Sequence, residues 1–152
     1  MNKYLSLFLV VALVLSCAFP ANAEVAKKKW TFFVFLNGDN NLSSAGDDDV
    51  NEMKSVGSTD QVNIVVLHDK IGTSDTRFLY IEKGKEVVLE SGEINTGDVK
   101  EFVRFGKKVM DLYPAEHYFF TIWNHGAGIR NKAVDHFFNR GISYDDSSGH
   151  AH

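Results

Sequence analysis

At 152 residues and a formal net charge of −4, the chain has room for one domain and no more. Its acidic balance lacks the basic stripe that nucleic-acid binding needs, so no nucleic-acid partner is expected. The single cysteine, Cys17, rules out an intrachain disulfide framework.

The first segment has the pattern of an export signal. Met1-Asn-Lys3 gives a short positive start, and Tyr4 to Ser16 is an apolar stretch shorter than the roughly 20 residues of a membrane-spanning helix. Ala21-Asn22-Ala23 then offers small residues where a signal peptidase reads. Residues 1–23 are therefore expected to be a signal peptide, and the chain to be exported: secreted, periplasmic or at the cell surface. Val14-Leu15-Ser16-Cys17 also fits a lipoprotein cleavage box, so the alternative is a lipidated Cys17 and, through it alone, a membrane anchor. Residues 24–29, with lysines 27 to 29, read as a solvated basic linker.

Residues 30–152 carry the domain. Thr31 to Leu36 is wholly apolar and branched or aromatic, the signature of a strand covered on both faces. Asn40 to Val56 has helical spacing through Leu42, Ala45, Val50, Met53 and Val56, with Gly57 as its C-cap. Val62 to Leu67 is a second buried strand, closing on His68-Asp69. Arg77 to Glu82 and Glu86 to Glu90 flank Lys83-Gly84-Lys85, which reads as a hairpin at the sheet margin.

Asp98 begins the next helix, with Asp98 and Glu101 as a capping box. Val99, Phe102, Val103, Gly106, Val109 and Met110 are placed on its apolar face, and Pro114 follows its end. His117 to Trp123 is the third core strand. The rhythm is that of a doubly wound α/β fold, with a mostly parallel sheet and flanking helices. From Gly126 to Ser143 the pattern loosens into a surface loop; Gly141 to Tyr144 can open another strand, and Asp145 to Gly149 is a turn.

The chemistry converges on His125-Gly126 at the carboxyl end of that third strand. Open α/β sheets hold their ligands at this lip. A histidine there can take and return a proton near neutrality, and the adjacent glycine lets a backbone N–H approach a ligand closely. No cysteine or other activated nucleophile accompanies them. Asp47-Asp48-Asp49 lacks the regular oxygen-ligand loop of a calcium site and reads as acids in the early turns of a helix. His136, His150 and His152 match no zinc spacing.

Several blocks together carry a resemblance. Trp30 to Leu36 with Asn37-Gly-Asp-Asn-Asn-Leu42, then Asp49-Val-Asn-Glu-Met53 and Val56-Gly-Ser58, resemble the N-terminal half of clostripain-family cysteine peptidases. Tyr118 to Gly126 followed by Gly141-Ile-Ser-Tyr-Asp-Asp146 is similar to that family's catalytic-histidine segment. The resemblance implies a caspase-like fold, incomplete at the C-terminus, and cleavage of protein or peptide substrates after Arg or Lys. It implies that His125 is the dyad histidine and that Gly126 offers its N–H to the oxyanion. Calcium dependence and processing into two chains also come with the family.

The family's cysteine follows a further helix in an Asp-Ala-Cys-like segment, which these 152 residues do not contain. Inactivity of this chain alone is the expectation, with substrate turnover only once a C-terminal half complements it. Loss of the neighbouring strand would also leave an exposed sheet edge prone to self-association. The alternative is a non-catalytic exported α/β binding or interaction module on the same scaffold.

Overall fold

A computed structural model describes residues 26–72, 74–125, 143, 145 and 147. The elements run β1 (Lys28–Gly38), α1 (Ser43–Val56), β2 (Val62–Lys70), β3 (Thr76–Glu82), β4 (Lys85–Gly92), α2 (Val99–Leu112) and β5 (Ala115–Trp123). The five strands form one sheet in the order β4-β3-β2-β1-β5. β1 pairs in parallel with β2 and β5, whereas β2–β3 and β3–β4 are antiparallel. In direction the sheet is mostly parallel, as expected: β3 alone runs against the others. The hairpin sits at one margin and β4 is outermost there.

Side chains alternate faces along a strand, and the two helices cover opposite faces. On one side Phe33, Phe35, Val65, Leu67 and Phe78 pack with Phe105 and Val109 of α2. On the other, Leu36, Val66, Leu79 and Ile81 pack with Val50 of α1. Each such side chain taken fully out of water contributes about 1.5–3 kcal/mol. The continuous apolarity of β1 follows from this double cover, but only in part: Trp30, Phe32 and Val34 are half-buried, so the second cover is incomplete.

The element boundaries have local causes. α1 starts at Ser43 rather than Asn40, because Asn40 Oδ1 accepts from Leu42 N at 2.8 Å and holds a turn there. Gly57, at φ 70°, ends α1 with its N–H on Met53 O; a Cβ there would lie 2.2 Å from Lys83 N. Asp98 caps α2 by accepting from Lys100 N at 2.9 Å. The reciprocal half of the capping box is not made: the Asp98 N–H donates to Asn95 O at 3.0 Å, and the Glu101 carboxylate accepts from Arg104 Nε at 2.8 Å.

The apolar face expected for α2 is rotated. Phe102, Phe105, Gly106 and Val109 face the sheet at i, i+3, i+4 and i+7, whereas Val99, Val103 and Met110 are exposed. α2 packs on the aromatic rings of β1 and β3, and that arc takes Phe105, which the sequence pattern left out. β5 is an outer strand, with Phe119 53%, Phe120 37% and Ile122 37% exposed. It begins at Ala115 rather than His117, because Ala115 already pairs with Lys28.

The expected signal peptide with Cys17, Gly126, most of the 126–143 loop, most of the strand at 141–144, and His136, His150 and His152 lie outside the described residues. Among the described residues no helix is long and apolar enough to cross a membrane.

Candidate functional site

The carboxyl ends of β1, β2 and β5 lie side by side because all three strands are parallel. Leu36 is level with both His68 and Trp123, and Asn37 with Asp69. Beyond this level the apolar strands give way to polar residues, which gather at one lip of the sheet.

His125 is at that lip, where the sequence placed it. Its backbone N–H donates to Asn124 Oδ1 at 2.5 Å, and Asn124 Nδ2 donates to Asn37 O at 3.2 Å. The end of β5 is thereby tied to the end of β1. The imidazole is exposed, and its Nε2 lies 2.9 Å from Asn41 Oδ1, in the loop between β1 and α1. Exposure keeps the ring open to a reacting group while one nitrogen is held.

A second polar group lies toward the α2 face. Asp39, Asp69 and Asp145 are all fully buried, with carboxylate oxygens within 4.8 Å of one another. Among the described residues this is the group of acids close enough to share a cation. Its oxygens are also hydrogen-bonded. Thr76 Oγ1 donates to Asp69 Oδ1 at 2.6 Å, and Thr96 Oγ1 donates to Asp69 Oδ2. Thr96 N donates to Asp145 Oδ2 at 2.9 Å, and Ser147 donates to Asp39 from its N at 2.8 Å and its Oγ at 2.9 Å.

Burial raises the Asp69 carboxyl to about 7; the Thr76 and Thr96 hydrogen bonds oppose the shift and the neighbouring Asp145 and Asp39 add to it. Ser143 joins them, accepting from Asn37 Nδ2 at 2.8 Å and donating to Thr96 O at 3.1 Å. Ser143 and Asp145, from the block that resembled part of a catalytic-histidine region, therefore pack at the same lip of the sheet as His125.

His68 points to the opposite face and is fully buried. Burial and then the Arg77 guanidinium lower it to about 4, so it is neutral at physiological pH. Arg77 Nη2 is 3.3 Å from His68 Nδ1, while Nε2 has no hydrogen-bond partner among the described residues and is 3.8 Å from Asp47 Oδ1. Asp47, part of the acidic run in α1, pairs with Lys70 at 2.8 Å and sits in the second turn of the helix rather than the first.

Sequence reasoning found His125 but not Asn41, nor the cluster of Asp39, Asp69, Thr96 and Asp145. One signal was available: each parallel strand runs without interruption into polar residues, Asn37-Gly-Asp-Asn-Asn41, His68-Asp69 and Asn124-His125. Parallel strands that end together bring such residues together.

A doubly wound sheet whose central parallel strands end on this polar lip, with a histidine held beside the first strand, defines a caspase-like α/β domain. The clostripain family model, peptidase family C11, matches residues 34–152, and the chain belongs to that family. Clostripain of Hathewaya histolytica is 29% identical, over 80% of this chain and 28% of its own length. A secreted C11 cysteine protease from Bacteroides thetaiotaomicron, solved with an irreversible peptide inhibitor, is similar at 26% identity and a TM-score of 0.62. That match covers 81% of this chain and 35% of the other. A cysteine protease from B. fragilis matches at 26% identity and a TM-score of 0.55, over 71% of this chain and 98% of that chain. The chain thus spans little more than a quarter of clostripain, yet nearly the whole of one chain in a solved relative.

Proposed function

We propose that the chain supplies the histidine half of an exported clostripain-type cysteine endopeptidase, whose nucleophile comes from polypeptide outside these 152 residues. The observation that carries this is His125, presented at the lip of β5 inside the family match, in a sequence whose single cysteine is Cys17. In the assembled enzyme the cysteine thiol gives its proton to the His125 imidazole, and the thiolate attacks the scissile carbonyl. The imidazolium then protonates the leaving amine, leaving a thioester. Water, losing a proton to the imidazole, hydrolyses the thioester and regenerates the thiol.

Gly126 offers its backbone N–H to the oxyanion; one such donor is worth about 10²–10³ in rate. Cleavage follows Arg or Lys, with the groups that read that side chain outside this chain. Export is supported by the apolar leader and by the secreted nature of the B. thetaiotaomicron relative. The B. fragilis chain, made up almost wholly of the matched region, supports an enzyme assembled from two polypeptides.

The test is to read the coding DNA past codon 152 in all three frames. A helix followed by an Asp-Ala-Cys-like segment is the expected finding. A reading with no such segment in any frame would remove the peptidase function and leave a non-catalytic binding module on the peptidase scaffold.

A further inference from the structure

The end of β1 and the loop after it give each polar side chain a different task. Asn37 Nδ2 donates to Ser143, Asp39 accepts from Ser147, and Asn40 Oδ1 accepts from Leu42 N where α1 begins. Asn41 makes the remaining bond, 2.9 Å to His125 Nε2 across 84 positions of sequence. It is exposed, and Asn40 already shapes the turn into the helix, so the fold does not depend on the Asn41 amide.

We infer that Asn41 is a positioning residue for His125, fixing the imidazole as the Nε2–H tautomer so that Nδ1 is the atom that exchanges protons. This rests on the peptidase reading above. With Oδ1 rather than Nδ2 of the amide facing the ring, Asn41 accepts and Nε2 carries the hydrogen. A neutral imidazole has one N–H, so the lone pair is on Nδ1. Nδ1 takes the thiol proton and later passes it to the leaving amine, and the Nε2–H···Oδ1 bond persists in both states. With the backbone of His125 pinned through Asn124 to Asn37, Asn41 removes the ring's remaining freedom. The neutral amide orients the ring without the full charge of a carboxylate.

The tautomer is read on the folded chain itself by long-range ¹H–¹⁵N correlations of the His125 ring. The wild type shows Nε2–H; Asn41→Ala and the near-isosteric Asn41→Leu show a mixture at an unchanged melting temperature; Asn41→Asp keeps Nε2–H. In the chain assembled with its cysteine-bearing part, Asn41→Ala lowers kcat up to about 10²-fold with KM unchanged, and Asn41→Asp restores most of it. An unchanged tautomer in both Asn41→Ala and Asn41→Leu overturns the inference. So does wild-type kcat in Asn41→Ala where His125→Ala abolishes cleavage. Cleavage that survives His125→Ala instead overturns the peptidase role of the histidine, and the positioning role with it.

Discussion

His68 and Asp69 are neighbours in β2 that leave opposite faces of the sheet and titrate in opposite senses. Burial lowers His68 from 6.5 to about 4, so its contribution to stability is present above about 6.5 and lost as pH falls toward 4. Burial raises Asp69 from 3.8 to about 7, so its contribution is present below about 3.8 and lost as pH rises through 7. The shifts correspond to about 3 kcal/mol for His68 and about 4 kcal/mol for Asp69, and across the shared window the two slopes oppose one another.

Urea unfolding at a series of pH values checks this. Between about pH 4 and 6.5 the wild type should change less than either variant. Asp69→Asn should leave a stability that rises with pH, and His68→Gln one that falls. Three parallel profiles would show that the two groups do not titrate as their burial requires.

Two helical glycines should respond to alanine with opposite signs. A Cβ on Gly46 would lie 2.7 Å from Leu36 Cδ2 and 3.2 Å from His68 Nε2, both on buried side chains. Overpacking of that kind costs about 1–3 kcal/mol and outweighs the helix gain of roughly 1 kcal/mol. At Gly106 the nearest atom, Phe120 Cε2, is at 3.5 Å, an ordinary contact. Gly106→Ala should therefore stabilise by up to about 1 kcal/mol. Thermal melts of the two variants decide both signs.

The outer edge of β5 should drive self-association. It carries the exposed side chains of Phe119, Phe120 and Ile122 beside an unpaired strand edge among the described residues. Sedimentation should show oligomers for the chain on its own, reduced by Phe119→Lys with Ile122→Lys. A monomer that melts cooperatively at high concentration would contradict this.

The strands and helices were legible because their apolar runs and 3.6 spacing are local signals; Phe33, Phe35, Val65 and Val109 are buried as the patterns required. The α2 face was misjudged at Phe105 because which arc of an apolar helix meets the sheet depends on the partner surface, not on the helix. The carboxylate cluster was hidden for a similar reason. Asp39, Asp69 and Asp145 are far apart in sequence; the aligned ends of β1 and β2 bring the first two together, and the Thr96 N–H holds Asp145 beside them. His125 was readable because its strand and its glycine are adjacent in sequence, whereas Asn41 reaches it only through the parallel pairing of β1 and β5.

The most direct test is hydrolysis of peptides carrying Arg or Lys at the cleaved bond, by the chain alone and by the chain combined with the cysteine-bearing polypeptide that the proposed function requires. The proposed division of the site predicts no turnover by the chain alone. It predicts cleavage after the basic residue by the combination, and loss of that cleavage in His125→Ala. Turnover by the chain alone that persists in Cys17→Ser, or cleavage by the combination that survives His125→Ala, would contradict it.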